Sequence, residues 1–439
     1  MSALLLRVKR ALARATRWAL LRRVRVQPSA AEQAGAERRV FIVLMTAFGM
    51  GGTIRTCMNL AGYLASSGYE VTIISVKRTR EKPFFEWPEG VRVVSLDLTI
   101  GDSQPSWLHP IRRVLLNRSS VLMHPGDRGF RAFSLWADWR LVRTLRGRAG
   151  FLITTRPGLN LLATELTPPG LVLIGQEHMH LREHSEVLQE AMRRRYRKLA
   201  SLAVLTARDR WRYKQHLEQR TKVVLVPNTV RDMGGVRADL SAKTVLAAGR
   251  FARQKGYDRL VKTWPQVAEK HPDWRLRICG AGPGRAKLER LIAERGLEDV
   301  ITLAKPAEDM GAEMAKASMF VLSSRWEGLP LVLLEAMSVG MGVVSFNCPT
   351  GPADVIEDHV NGLLIKPRTI DALAAGLNEM IEDEDLRRRC AAAAIETAGD
   401  YSMDVIGPRW EAVLREAWER RGPNSPKRRA QRAPTTSSE

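Results

Sequence analysis

Short apolar runs alternate along nearly the whole chain with longer stretches of helical periodicity, and this rhythm constrains the fold more than any other feature. The runs at residues 39–48, 69–77, 91–98, 151–155, 171–175, 202–206 and 222–228 are apolar at successive positions, as in strands buried on both faces. Helical patterns lie between them; in 54–65, for example, Cys57, Leu60, Ala61 and Leu64 share one face. A polar, glycine-containing stretch at 231–243 separates these from a second series at 244–251, 274–280, 300–304, 319–324, 342–346 and 362–365. In the second series, 257–269 places Leu260, Val261, Trp264, Val267 and Ala268 on one helical face. Strand and helix in alternation predict parallel sheets covered on both sides. The chain has 439 residues, enough for two or three domains at roughly 150 residues each. The expected architecture is therefore α/β, with two doubly wound parallel-sheet domains facing across a cleft. Their expected bounds are 39–230 and 244–402, joined by a linker at 231–243, with a C-terminal helix at 403–421 returning toward the first domain. Ligands of such sheets bind beyond the carboxyl ends of the strands.

The ends of the chain differ from this pattern. Residues 1–30 carry eight basic side chains and no acidic one, within a chain whose net charge is +22. As a helix, Arg7, Arg10, Arg14 and Arg17 would fall on one face and Leu5, Val8, Leu12 and Ala19 on another. Residues 1–38 thus read either as a basic amphipathic segment lying in an anionic lipid interface or as a solvated extension. Residues 422–439 combine prolines, basic residues and a Thr-Thr-Ser-Ser run, the composition of a disordered tail. No apolar stretch reaches the roughly 18 residues of a membrane span, and no secretory signal pattern is present. Cys57, Cys279, Cys348 and Cys390 are widely spaced and form neither a disulfide framework nor a zinc knuckle, which suits a cytoplasmic address.

Three segments carry candidate chemistry. The loop TAFGMGGTIRT follows the first strand, and Gly49, Gly51 and Gly52 let the backbone come close to an anion at a helix start. Its spacing is not that of a dinucleotide fingerprint, and a simple tight turn remains the alternative. GRFARQKG places Arg250 and Lys255 after the first strand of the second series, where a guanidinium and an ammonium suit a diphosphate. SSRWEGLPLVLLEAMSVG is the most informative segment. Glu327 lies in its loop, Pro330 is expected as the first helical residue, and Glu335 follows a little over one turn later. The loop glutamate can accept from sugar hydroxyls and the helical one from both hydroxyls of a ribose, while the amides of Leu331 and Val332 stay free for ligand oxygens. Taken as isolated residues, Glu327 would be a helix-start charge partner and Glu335 a solvated side chain. His178, His180 and His184 raise a metal reading, but without a nearby cysteine their spacing argues against one.

The E-x7-E arrangement in EGLPLVLLE resembles that of the retaining glycosyltransferases of family four, which have the GT-B fold of two Rossmann-like doubly wound domains facing across a cleft. The resemblance extends through the glycine loop, GRFARQKG, ICGAGPG, SFNCPTGPADVI and NGLLIKP, covering roughly residues 39–421. It implies that Arg250 and Lys255 hold the diphosphate of a nucleotide-sugar donor, probed first as a UDP-sugar. It places Glu335 on the nucleotide ribose, and Glu327 on the transferred sugar with Gly328 beside it. Gly51 and Gly52 would close on the phosphates, and His178 would lie beside the donor sugar and the acceptor. It implies no metal and no cofactor beyond the nucleotide-sugar co-substrate, the cations and the helix start stabilising the departing phosphate. Similar enzymes act on envelope polysaccharides, lipid-linked oligosaccharides and teichoic acids at the cytoplasmic leaflet. The basic cluster Arg193, Arg194, Arg195, Arg197 and Lys198 fits such an acceptor, glycan or lipid-linked, at an anionic membrane surface. The competing classes are a GT-B epimerase, a sugar-nucleotide binder without transfer, and a nucleic-acid-binding protein; the last has the charge but no recognisable motif, so no nucleic acid is expected.

Overall fold

The computed structural model describes residues 3–97 and 109–422, so the 423–439 portion of the expected tail lies outside the described residues. The described residues form two compact units, the first built from 3–97, 109–204, 210–226 and 407–422, the second from 205–209 and 227–406.

The first unit is organised by seven strands: β1 (Arg39–Thr46), β2 (Glu70–Lys77), β3 (Val91–Asp97), β4 (Ala149–Thr154), β5 (Gly170–Glu177), β6 (Ser201–Val204) and β7 (Val223–Leu225). They form one parallel sheet in the order β3-β2-β1-β4-β5-β6-β7. β4 and β5 are buried at every position, which is why their sequences are continuously apolar rather than alternating. Phe41, Val43, Leu152, Leu159 and Tyr196 belong to the core of this unit. The helix Met403–Arg421 enters the unit at Gly407. There the Trp418 ring lies 5.3 Å from that of Phe151, and Arg420 donates to the Ala200 carbonyl at 3.1 Å.

The N-terminal helix, Ala3–Val24, is seated by its last turns alone. Leu20 and Val24 enter the core, while every described side chain from Arg7 to Ala15 is exposed. Arg17, expected among the outward arginines, instead turns inward. It donates to the Val121 carbonyl at 2.9 Å and pairs with Glu165, a partner 148 residues away that local periodicity cannot reveal. The loop it meets is held from the other side by buried Asp138, which accepts from Ser120 Oγ at 2.7 Å and from the Val121 amide at 2.7 Å.

The second unit carries β8 (Thr244–Ala248), β9 (Arg275–Cys279), β10 (Ile301–Ala304), β11 (Met319–Leu322), β12 (Gly342–Phe346) and β13 (Leu363–Ile365). These form a parallel sheet in the order β10-β9-β8-β11-β12-β13. The strand order reverses between β1 and β4 in one unit and between β8 and β11 in the other. At such a switch point adjacent connections leave in opposite directions and open a crevice at the carboxyl edge. The expected pair of doubly wound α/β domains is thus what the chain forms. Among the described residues, no helix is long and apolar enough to cross a membrane.

Candidate active site

In the second unit the loop after β8 is locked against the end of β11. Gly256 has φ +67°, and a Cβ there would collide with the Ser323 carbonyl oxygen, so the approach requires glycine. Ser323 Oγ in turn donates to the Lys255 carbonyl at 3.0 Å. The consequence is a fixed place for the Lys255 side chain, whose Nζ donates to Glu327 Oε1 at 2.8 Å. Ser324 Oγ donates to the same oxygen at 2.5 Å. The Glu327 backbone is held as well, its amide donating to the Pro349 carbonyl at 2.8 Å and its carbonyl accepting from the Thr350 amide at 2.9 Å.

This arrangement leaves chemistry unspent. Glu327 is only 6% exposed, yet its Oε2 has only a long contact, 3.4 Å from Gln254 Nε2. A carboxylate oxygen can accept two bonds and an ammonium can donate three, so an open acceptor and open donors stand side by side. Arg250, on the same loop, is exposed, and its side chain has no partner among the described residues. Arg325 holds Asp258 with two bonds, at 2.8 and 2.7 Å, which stiffens the segment before Glu327 and keeps the Asp258 carboxyl below its usual pKa. Cys348 is no thiolate nucleophile, because burial, with the Glu327 charge behind it, pushes its thiol up to about 12.

The helix Leu331–Ser338 begins one residue later than expected. Pro330 is its cap rather than its first residue: ψ is 89°, outside the helical range, while its carbonyl already accepts from the Leu333 amide at 3.0 Å. The amides of Leu331 and Val332 have no backbone partner among the described residues, as the sequence implies. Glu335 is 7% exposed, which removes its reading as a solvated residue.

The first unit has its own cavity, of about 620 Å³, at the carboxyl ends of β1, β4 and β5. His178 lines it, immediately after β5, with Nε2 3.4 Å from Gln176 Oε1. Burial lowers its pKa to about 4, so the ring is neutral at physiological pH. Beneath it Glu177 accepts at Oε1 from Tyr196 Oη at 2.5 Å and Asn160 Nδ2 at 2.8 Å, and its Oε2 lies 3.6 Å from His184 Nε2. Across the cavity Arg156 pairs with buried Asp127 at 2.6 Å, and Asp127 also accepts the Gly158 amide at 2.8 Å. Thr53 and Ile54, at the start of the helix Gly52–Ser66, close the wall. Gly51 precedes that helix with extended backbone, and a Cβ there would meet nothing within 4 Å. The local fold makes no demand for glycine at 51.

The structure thus brings Lys255 and Glu327 into contact, keeps Arg250 on the loop that carries Lys255, and places His178 in a cavity whose rim includes the helix begun at Gly52. Ser324, Gln254, Asp127, Arg156 and Glu177 escape the sequence reading. Ser324, three residues before Glu327, Gln254, next to Lys255, and Glu177, beside His178, carry a local signal; Asp127 and Arg156 carry none. The three histidines turn to Gln176, Glu183 and Glu177 respectively. Among the described residues no cluster of three His, Cys, Asp or Glu side chains is placed to hold a metal.

Two doubly wound parallel-sheet units, one with a paired cation and acid at its carboxyl edge, define an α/β protein. Residues 232–397 match the family of glycosyl transferases group 1, and the chain carries such a domain. It is 32% identical to an exopolysaccharide phosphotransferase of Streptomyces coelicolor over 88% of this chain, but spans only 41% of that protein's length. It is 33% identical to the amylovoran biosynthesis glycosyltransferase AmsD of Erwinia amylovora, over 39% of this chain and 47% of that protein. Among solved structures, the GT-B architecture matches S. aureus TarM in complex with fondaparinux, α-GlcNAc-glycerol and UDP. That match has a TM-score of 0.67 at 14% identity and covers 86% of this chain and 99% of that one.

Proposed function

We propose that this protein is a metal-independent, retaining glycosyltransferase that moves a sugar from a nucleotide-sugar donor, with a UDP-sugar the first to test, to a cell-envelope glycan or lipid-linked acceptor at the inner face of the plasma membrane. The observation that carries the reading is the Lys255–Glu327 contact with Ser324 at the carboxyl edge of β8 and β11. Lys255 and Arg250 neutralise the donor diphosphate, and the open Oε2 of Glu327 accepts a hydroxyl of the transferred sugar. Glu335 receives the ribose hydroxyls, and the amides of Leu331 and Val332, with Gly328 preceding them, face donor oxygens. The resemblance to the family-four enzymes would add Gly51 and Gly52 at the phosphates and His178 beside the transferred sugar.

The bond between the anomeric carbon and the donor phosphate breaks as the acceptor oxygen bonds the same face. The departing phosphate oxygen takes the acceptor proton, and the nucleoside diphosphate leaves with the charge that Lys255 and Arg250 offset. The names of the polysaccharide-building relatives support the envelope acceptor. Incubation with UDP-, GDP- and ADP-sugars, followed by NMR of the anomeric proton in the product, tests the reading. Release of nucleoside diphosphate with an unchanged anomeric configuration is expected, and an inverted product or absence of transfer with all donors removes it.

A further inference from the structure

The N-terminal helix presents two different faces. At about 100° per residue, the seated side chains Arg17, Leu20 and Val24 cluster on one side, and Val8, Leu12, Ala15 and Ala19 form a stripe roughly 140° away. That stripe faces solvent: Val8 is 59% and Leu12 64% exposed, and Ala15 and Ala19 are exposed with them. Arg7 and Arg14 lie to one side of it, about 110° and 130° round from its centre, together with Trp18, which is 62% exposed and has the Arg22 guanidinium 5.2 Å from its ring centre. Exposed helical turns of this length are marginal in water without a surface to cover their apolar side.

A second helix, His109–Leu116, repeats the pattern independently. Ile111 and Val114, three residues apart on one face, are 53% and 58% exposed, and Arg113 beside them is exposed. Both helices pack on the same helix, Leu135–Leu145. Apolar side chains bordered by arginine, with an aromatic ring at the border and no acidic residue before Glu32, complement a surface that is apolar inside and anionic outside.

We infer that these two helices form one docking surface for an anionic lipid bilayer, with Val8, Leu12, Ile111 and Val114 entering the acyl boundary and Arg7, Arg14 and Arg113 meeting headgroup phosphates. The geometry belongs to the first unit alone and rests on the envelope reading only for its purpose, which is to hold the enzyme where its acceptor resides. A free phosphate or soluble polyanion would engage the arginines but has no use for the apolar stripe.

Flotation of the full chain with vesicles of phosphatidylcholine alone, or with phosphatidylglycerol added, tests the inference, using the double variants Val8→Glu/Leu12→Glu and Ile111→Glu/Val114→Glu. All four positions are exposed, so the fold has no stake in them. The wild type is expected to float only with the anionic vesicles and to lose binding as salt rises. Each double variant should bind about tenfold more weakly. Sedimentation velocity and turnover on a soluble acceptor run alongside. Equal flotation of all forms, binding indifferent to phosphatidylglycerol, or a dimer that Val8→Glu/Leu12→Glu converts to monomer overturns the surface. Anionic flotation lost in the variants supports it even if no form transfers sugar, a result that would remove the enzymatic reading instead.

Discussion

Lys255 Nζ and Glu327 Oε1, 72 residues apart in sequence, meet at 2.8 Å because Gly256 lets the β8 loop rest on the Ser323 carbonyl. The pair is nearly buried, with side-chain exposures of 17% and 7%, so each partner depends on the other for its charge. Replacing Lys255 by Met leaves the carboxylate with Ser324 and a distant amide. Stability should fall by about 1–3 kcal/mol, and turnover by about 100-fold or more. Glu327→Gln should keep the fold and lose turnover to a similar degree, and the double variant should be far from additive. Urea unfolding and nucleotide-release rates check this; near-normal turnover in either single variant would remove the site.

Two glycines should respond in opposite ways to the same substitution. Gly256→Ala meets both a positive φ and a backbone oxygen, so its cost should be about 1–3 kcal/mol or more in unfolding experiments. Gly51→Ala meets open space on extended backbone, so the melting temperature should hold. Its effect should instead be a raised KM for the donor. If Gly51→Ala leaves donor KM unchanged, this loop does not approach the phosphates.

The strands were legible because burial on both faces writes itself as consecutive apolar residues, and β4, β5 and β12 are buried throughout. The E-x7-E segment was legible because its spacing is local. What stayed hidden depends on distant partners. Arg17 looks like its neighbours Arg10 and Arg14 until Glu165 arrives from another helix. Asp127 and Arg156 come from separate loops and pair only because the Pro157 helix start offers the Gly158 amide to the same carboxylate. Pro330 satisfied the composition of a first helical residue, but its carbonyl was already engaged as the cap acceptor.

His178 should make the protein acid-sensitive in a defined window. The folded state holds the ring neutral down to about pH 4, whereas the unfolded chain takes up its proton below the ordinary value of 6.5. Stability from this residue is therefore complete above about pH 6.5 and is lost progressively as pH falls toward 4. His178→Gln removes that contribution, so melting temperatures at pH 7.5 and 5 should differ more in the wild type than in the variant. An equal difference in both forms would show that the ring is protonated in the folded state.

The Arg156 guanidinium lines the first-unit cavity, with 30% of its side chain exposed while its partner Asp127 is 2% exposed. Asp127 has the Gly158 and Gly129 amides at 2.8 and 2.6 Å, so it keeps its hydrogen bonds when the arginine is removed. Arg156→Ala should therefore fold. If the cavity takes the acceptor, this variant should raise acceptor KM about tenfold, the loss of one charge-assisted hydrogen bond. Hydrolysis of the donor by water, which needs no acceptor, should stay within about twofold, because the Lys255–Glu327 cluster is untouched. A rise in donor KM with acceptor KM unchanged would assign the cavity to the donor instead.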